Sequence, residues 1–192
     1  MKYYQELTIL PSYDVPAYFI WSRVYQQIHL GFVEHQDQNG VIKYGVSFPE
    51  YQMNGKEKQL GNKLRIFAQD EVDLKNLDLA KCLSRLVDYV HFTGIRKVPG
   101  RIEYAVYGRV HQENSQTQRI KRFVKRHGVS YEEAEKLYPM KLEKCEFPYI
   151  QMQSLTNHNP FRLYVCKTVV TESQNKGFGS YVLSAISTVP EF

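Results

Sequence analysis

Residues 3–34 read YYQELTILPSYDVPAYFIWSRVYQQIHLGFVE, and the change of period inside this stretch decides the fold. Residues 3–10 alternate in the manner of a strand, whereas 15–34 turn to helical spacing. At about 100° per residue, Trp21, Val24, Tyr25, Ile28 and Phe32 form one apolar stripe. Working outward, 41–48 and 63–68 read as strands, 71–90 as a helix and about 92–97 as a short strand. That order, βαββαβ, predicts a ferredoxin-like arrangement. Val98, Pro99 and Gly100 then break the pattern and mark a boundary. The expectation is an α+β protein with a ferredoxin-like domain over 1–98 and a second α+β domain over 99–192. In the second half, Arg101 to His111 reads as a strand, and 146–153, 161–170 and 180–187 as further strands of a second sheet or arch.

The charge is concentrated in that second half. Arg119, Lys121, Arg122, Lys125 and Arg126 fall within eight positions, with no acidic residue between Glu113 and Glu132. The remaining Lys and Arg are matched by Asp and Glu, so the formal +5 belongs to this segment. A neutral body with one basic rod points to a polyanion partner. The rod is predicted as a helix over about 115–127. Ser115 and Gln118 spell a capping box, and Gly128 stands where a helix end favours a left-handed residue. Ile120, Phe123 and Val124 gather opposite the cations. A solvated basic face is the plain alternative, but uncompensated cations three and four apart repel one another unless an anion joins them.

A second short helix is expected from Ser130, with a capping box to Glu133 and a stop at Pro139. A helix-turn-helix protein reads DNA with its second helix. Here that helix carries Glu132, Glu133 and Glu135, which would repel phosphates, so a DNA-binding regulator is disfavoured.

Composition bounds the other classes. With 192 residues, 43% hydrophobic and 14% aromatic, the chain can bury a substantial core. Met1 to Glu6 form no apolar signal core, and no apolar run approaches a membrane span, so a soluble cytoplasmic protein without membrane contact is expected. Cys82, Cys145 and Cys166 are widely spaced without a CxxC pair, which indicates buried thiols rather than a zinc site or disulfide framework.

An RNA partner would bring its own nucleophile, the 2′-hydroxyl, so cleavage would require a general base, an orienting group and charge stabilisation. Histidine suits the base. Of His29, His35, His91, His111, His127 and His158, His29 lies at the edge of the first helix's apolar stripe, beside Tyr18 and Tyr25. Such a position suits a cleft, although an ordinary boundary histidine would occupy it equally well.

Several runs occur in order along nearly the whole chain: His29 late in the first helix, GVSFP at Gly45 to Pro49 and LRI at Leu64 to Ile66. Lys125, Arg126 and His127 end the basic helix, FRL follows at Phe161 to Leu163, and Gly177, Phe178, Gly179, Ser180 and Tyr181 close the set. Together they resemble the subtype I-F CRISPR repeat-processing endoribonucleases. The resemblance implies cleavage of the CRISPR repeat transcript at the 3′ base of a stem-loop. It implies no metal or other cofactor, a cyclic phosphate product, a retained hairpin, and association with other subunits of a type I-F surveillance complex.

By the same resemblance, His29 corresponds to the catalytic histidine, Ser154 to the serine that positions the 2′-hydroxyl, and Tyr181 to the tyrosine that orients the histidine. Arg109 corresponds to an arginine that reads a guanine near the foot of the stem. His111 stands where better-known members carry glutamine. Lys121, Arg122, Lys125 and Arg126 correspond to groove-lining cations, joined by Arg119 in the same rod, and Phe161 to an aromatic that stacks near the scissile end. Lysines at 121 and 125 replace arginines, favouring point-charge phosphate contacts. Val182 replaces a customary glycine, which implies a stiffer C-terminal loop. Read without the resemblance, Ser154 is a polar strand residue, and Tyr181 and Phe161 are core aromatics. The other class left open is a non-catalytic subunit that holds guide RNA within a surveillance complex.

Overall fold

The computed structural model describes residues 1–53, 58–100, 102–110, 116–137 and 146–192, with the side chains at 116–119, 122 and 137 outside the description. The first half comprises β1 (Tyr3–Ile9), α1 (Ala17–Glu34), β2 (Gly45–Ser47), β3 (Lys63–Ala68), α2 (Glu71–Leu77), α3 (Leu79–Cys82), β4 (Val90–Phe92) and β5 (Arg96–Lys97). The second comprises β6 (Glu103–Val110), α4 (Gln116–His127), α5 (Tyr131–Leu137), β7 (Tyr149–Gln153), β8 (Pro160–Val170) and β9 (Val189–Glu191). These elements form an α+β fold with two antiparallel sheets. Two compact units result, one of Met1–Val110 with Phe147–Phe192, the other of His111–Glu146.

In the larger unit the first sheet runs β2-β3-β1-β4, and β5 pairs with the opposite end of β1. Tyr4 lies opposite Phe67 and Leu7 opposite Leu64. Leu7 and Ile9 are buried on one face of the strand, two residues apart, while Tyr4 is buried on the other, against Phe67 and Phe192. The stripe of α1 covers this core: Ile20, Trp21, Val24, Tyr25, Ile28 and Phe32 are buried, together with His29 and Gly31. The second sheet runs β7-β8-β6-β9.

Aromatic side chains tie the two sheets together. Phe48 lies 5.8 Å from Trp21 and 5.6 Å from Tyr107, ring centre to ring centre. The Tyr107 hydroxyl reaches the Phe48 carbonyl at 3.1 Å, and the Tyr51 hydroxyl donates to the Val165 carbonyl at 3.1 Å. Such ring pairs contribute about 0.5–1.5 kcal/mol each beyond the area they bury. Gly45 permits a close approach, because a Cβ there would come within 2.6 Å of Val189 Cγ1 and 2.9 Å of Phe178 Cζ. The glycine of the GVSFP run therefore lets β9 and the C-terminal loop close on β2.

Some sequence expectations change in detail. The helix expected over 71–90 ends at Cys82 and is divided before that, because Asp78 takes a left-handed conformation (φ 45°). Its carboxylate then accepts from the Lys81 amide and starts α3 as a new cap. The strand expected over about 92–97 is two short pairings with β1, over 90–92 and 96–97. Residues 180–187 are a loop instead of a strand, and the last sheet strand is β9. The loop satisfies part of its backbone locally, with Val182 N–H donating to Gly179 O at 2.7 Å and the Ile186 and Ser187 amides to Ser184 Oγ, and part through distant elements, with Ser184 N–H donating to Tyr107 O at 3.0 Å.

In the smaller unit, α4 ends as expected, with Gly128 at φ 65° and its amide bonded to the Val124 carbonyl at 2.8 Å. The second capping box is reciprocal. Ser130 N–H donates to Glu133 Oε2 at 3.1 Å, and Glu133 N–H donates to Ser130 Oγ at 3.2 Å. Ile120 of α4 and Ala134 of α5 are buried, while Lys121, Lys125 and Arg126 are exposed.

Candidate active site

The histidine at the centre of the site is held by its neighbours in both position and tautomer. His29 is 4% exposed, on the last turns of α1. Its Nδ1 lies 2.8 Å from the Ser180 carbonyl oxygen. A carbonyl can only accept, so Nδ1 carries the proton and Nε2 keeps its lone pair. The Tyr181 ring stacks on the imidazole, centre to centre 4.5 Å with 12° between planes. Tyr181 is in turn held through its backbone, whose carbonyl accepts from the buried Tyr25 hydroxyl at 2.9 Å. Burial pushes the His29 pKa below the ordinary histidine value, and the Ser180 bond opposes this only in part. The ring is therefore neutral at neutral pH, with one nitrogen free to take a proton.

Other residues singled out in the sequence converge here. Phe161 meets Tyr181 edge-on, 5.7 Å between centres. The Arg109 guanidinium lies 4.9 Å from the centre of Tyr181 and 5.4 Å from that of Phe161, a cation over two aromatic rings. Its side chain remains exposed, so the positive charge stays available to an anion beside the histidine.

Ser154 follows the end of β7, one residue beyond the Gln153 and Pro160 pair of the β7–β8 hairpin. Its amide donates to Asn159 O at 2.9 Å, and its carbonyl accepts from His158 N–H at 3.0 Å. The hairpin is pinned to α1, because Gln153 N–H donates to Gln26 Oε1 at 3.1 Å. Gln26 and His29 are three apart on α1 and so share a face. Among the described residues no hydrogen bond joins Ser154 to His29.

The C-terminal loop that carries Ser180 and Tyr181 is anchored on both sides. Phe178 and Ile42 exchange backbone hydrogen bonds of 2.9 and 3.0 Å. Ser187, fully buried, donates from Oγ to Gly177 O at 2.6 Å and accepts from Lys176 N–H at 2.9 Å. Val182 is fully buried with φ 56°, a left-handed conformation that a β-branched residue adopts only under constraint. Gln26 was not singled out from the sequence, and Tyr25 and Ser180 were read there only as a stripe residue and as a member of the C-terminal run, with no role at the site. Tyr25 belongs to the apolar stripe, and a backbone carbonyl has no signature of its own.

The smaller unit carries the exposed cations Lys121, Lys125 and Arg126 on α4. His111, Ser115, Pro139 and Cys145, and the side chains of Arg119 and Arg122, lie outside the described residues. Among the described residues no cluster of three or more His, Cys, Asp or Glu side chains could hold a metal ion, and no helix is long and apolar enough to cross a membrane.

Known proteins share this chain over its whole length. It is 27% identical over 194 residues to the CRISPR-associated endonuclease Cas6/Csy4 of Pseudomonas aeruginosa (strain UCBPP-PA14), with all of both chains covered. It is 26% identical over 196 residues to the protein of the same name from Escherichia coli (strain UTI89 / UPEC), again over both full lengths. A solved structure described as "An RAMP protein binding different RNA substrates" overlaps 98% of the chain at 11% identity, but its TM-score of 0.37 is too low to carry an argument. The family model for the CRISPR-associated protein Cas_Csy4 matches residues 4–192, which includes the stacked histidine, its carbonyl partner and the basic helix. With that match spanning both units, the chain belongs to the Cas_Csy4 family of CRISPR-associated proteins.

Proposed function

We propose that this protein is a metal-independent endoribonuclease that cleaves CRISPR repeat RNA at the 3′ base of its stem-loop and retains the hairpin-bearing guide RNA. The observation that carries this reading is His29 itself. Its buried imidazole is fixed by the Ser180 carbonyl and the Tyr181 ring in the tautomer that leaves Nε2 basic. His29 Nε2 removes the proton of the 2′-hydroxyl, which Ser154 positions. The freed oxygen attacks the adjoining phosphorus, and the bond from phosphorus to O5′ breaks. The products are a 2′,3′-cyclic phosphate on the hairpin and a 5′-hydroxyl once the leaving oxygen takes a proton. Arg109 serves the phosphate charge and the guanine at the foot of the stem, and Phe161 stacks on the terminal pair.

The remaining roles follow the same reading. The sheet order β2-β3-β1-β4, with antiparallel neighbours, supports a ferredoxin-like arrangement for residues 1–98. Residues 99–192 serve as the hairpin-binding part. Arg119, Lys121, Arg122, Lys125 and Arg126 hold the hairpin, with Arg122 directed to a base edge and His111 close to the stem. An A-form major groove excludes side chains along an unbroken duplex, but a short hairpin with open ends relaxes that limit. Other subunits of a type I-F surveillance complex and a cytoplasmic location complete the proposal.

The test is incubation of the protein with the repeat hairpin of its own CRISPR locus in excess EDTA, with the product ends resolved. One cut at the 3′ base of the stem, leaving a cyclic phosphate, is the expected result. Tight binding of an intact hairpin would overturn the enzymatic reading and make the protein a guide-holding subunit.

A further inference from the structure

Beside the histidine, α1 and the β7–β8 hairpin enclose an open groove of about 240 Å³. Tyr18, Phe19, Arg23 and Gln26 supply one wall, Gln151 and Gln153 the other. Tyr18 is 72% and Phe19 45% exposed, unusual for aromatic side chains on a helix whose other face supplies the core. The Arg23 guanidinium already stands 5.1 Å from the centre of the Phe19 ring. Gln26 accepts from the Gln153 amide through Oε1, which leaves its Nε2 protons on offer to the groove it lines. Exposed rings, one cation and side-chain amides are the means by which proteins hold unpaired nucleotides: rings for base faces, the cation for phosphate, amides for base edges.

The groove is continuous with the candidate active site. Gln26 stands three residues before His29 on α1, and Gln153 immediately precedes Ser154. Phe161, Tyr181 and Arg109 group around His29 without lining the groove. In the proposed reaction the retained hairpin occupies those aromatics, so a strand crossing the scissile phosphate must continue over a neighbouring surface, and the groove is the one that adjoins Gln26 and Gln153. We propose that this groove is a subsite for the unpaired nucleotides immediately 3′ of the scissile phosphate, the strand that departs with the 5′-hydroxyl. This inference rests on the endoribonuclease reading given above.

The test uses the full-length protein and the repeat hairpin with a 2′-deoxy residue at the scissile position, which blocks cleavage without removing the flank. Three RNAs are compared: the bare hairpin, the hairpin with its 3′ flank, and the hairpin with its 5′ flank. The 3′-flanked RNA is expected to bind at least about 5-fold tighter than the bare hairpin, the lower end of what stacking one base contributes. Phe19→Ala and Arg23→Ala should each erase most of that gain and leave the affinity for the bare hairpin unchanged. Thermal melting of both variants checks that the fold is kept. Equal binding of all three RNAs, a gain from the 5′ flank alone, or variants that weaken the bare hairpin equally would each overturn the subsite. A bare hairpin that is not bound, together with a 3′-flanked hairpin that in its ribose form is not cut, would overturn the endoribonuclease reading instead, so the two failures are distinguishable.

Discussion

In the proposed function, the site around His29 and the helix α4 contribute by opposite physical means. His29, on α1, is buried, bonded through Nδ1 and stacked against a loop that is anchored by distant segments of the chain. The cations Lys121, Lys125 and Arg126 are exposed on a helix closed by local devices, the Gly128 turn and the reciprocal Ser130 and Glu133 cap of the next helix. A base must hold one nitrogen in one orientation, so it requires packing from distant segments. An electrostatic anchor works at a distance through solvent, so a short capped helix suffices. The comparison teaches that, under the proposed function, chemistry and affinity reside in separate regions, and each is expected to be damaged alone.

The strongest test of that separation is His29→Ala. Cleavage should fall by about 10²- to 10⁴-fold, the range a positioned general base contributes, while hairpin affinity by equilibrium binding stays within about twofold. A matching loss of affinity would merge the two regions. Salt probes the other side. With five phosphates neutralised, log affinity against log salt should have a slope of about −3.5 to −4.5, at roughly 0.7–0.9 per contact. A flat response would remove α4 as the anchor. Arg122→Ala should weaken hairpin binding by about 1–3 kcal/mol, the size of a good base-edge contact, with the melting temperature nearly unchanged. Equal loss of thermal stability would make Arg122 structural.

A smaller and more graded effect is expected with pH. The base is the neutral ring, and burial holds the His29 pKa below its ordinary value. Single-turnover cleavage should therefore rise with pH below about 6.5, an unperturbed histidine's value, and level off by neutrality, whereas binding to α4 follows no such curve. Stability moves in the same direction. The folded state releases this proton more readily than the unfolded chain, so the contribution is present above the unfolded pKa and is lost as pH falls through the folded one. The smallest effect sharpens the role of the C-terminal loop. Tyr25→Phe removes the hydroxyl that holds the Tyr181 carbonyl. It should cost about 1 kcal/mol of stability and lower cleavage severalfold, without altering salt dependence. Unchanged cleavage would show that the stack orients His29 without this support.

Parts of this architecture were legible in residues 3–34 because their periods reflect local geometry. The α1 stripe from Trp21 to Phe32 is buried as read, and β1 pairs over almost the whole predicted strand. The capping box at Ser130 and the turn at Gly128 were equally visible, since a cap involves neighbours three or four residues apart. The division of the second helix at Asp78 was not, because an aspartate in the middle of an apolar pattern does not declare a left-handed backbone. Residues 180–187 misled for a related reason. Val182, Leu183 and Ile186 resemble strand residues, yet their backbone bonds go to Gly179, Ser184 and each other's neighbours.

The sequence by itself determined the elements whose signals are short in range: an N-terminal helix with His29 at its edge, a basic rod with defined ends, and an ordered set of runs that marks the family. Only the tertiary structure decided how the site is assembled. The partner of His29 Nδ1 is a carbonyl 151 residues away, and Tyr181 is one of 15 tyrosines, distinguished by a 4.5 Å stack. Backbone oxygens look alike at every position in a sequence. What selects one as the orienting acceptor is the packing of a loop across two sheets, and packing is a property of the folded chain.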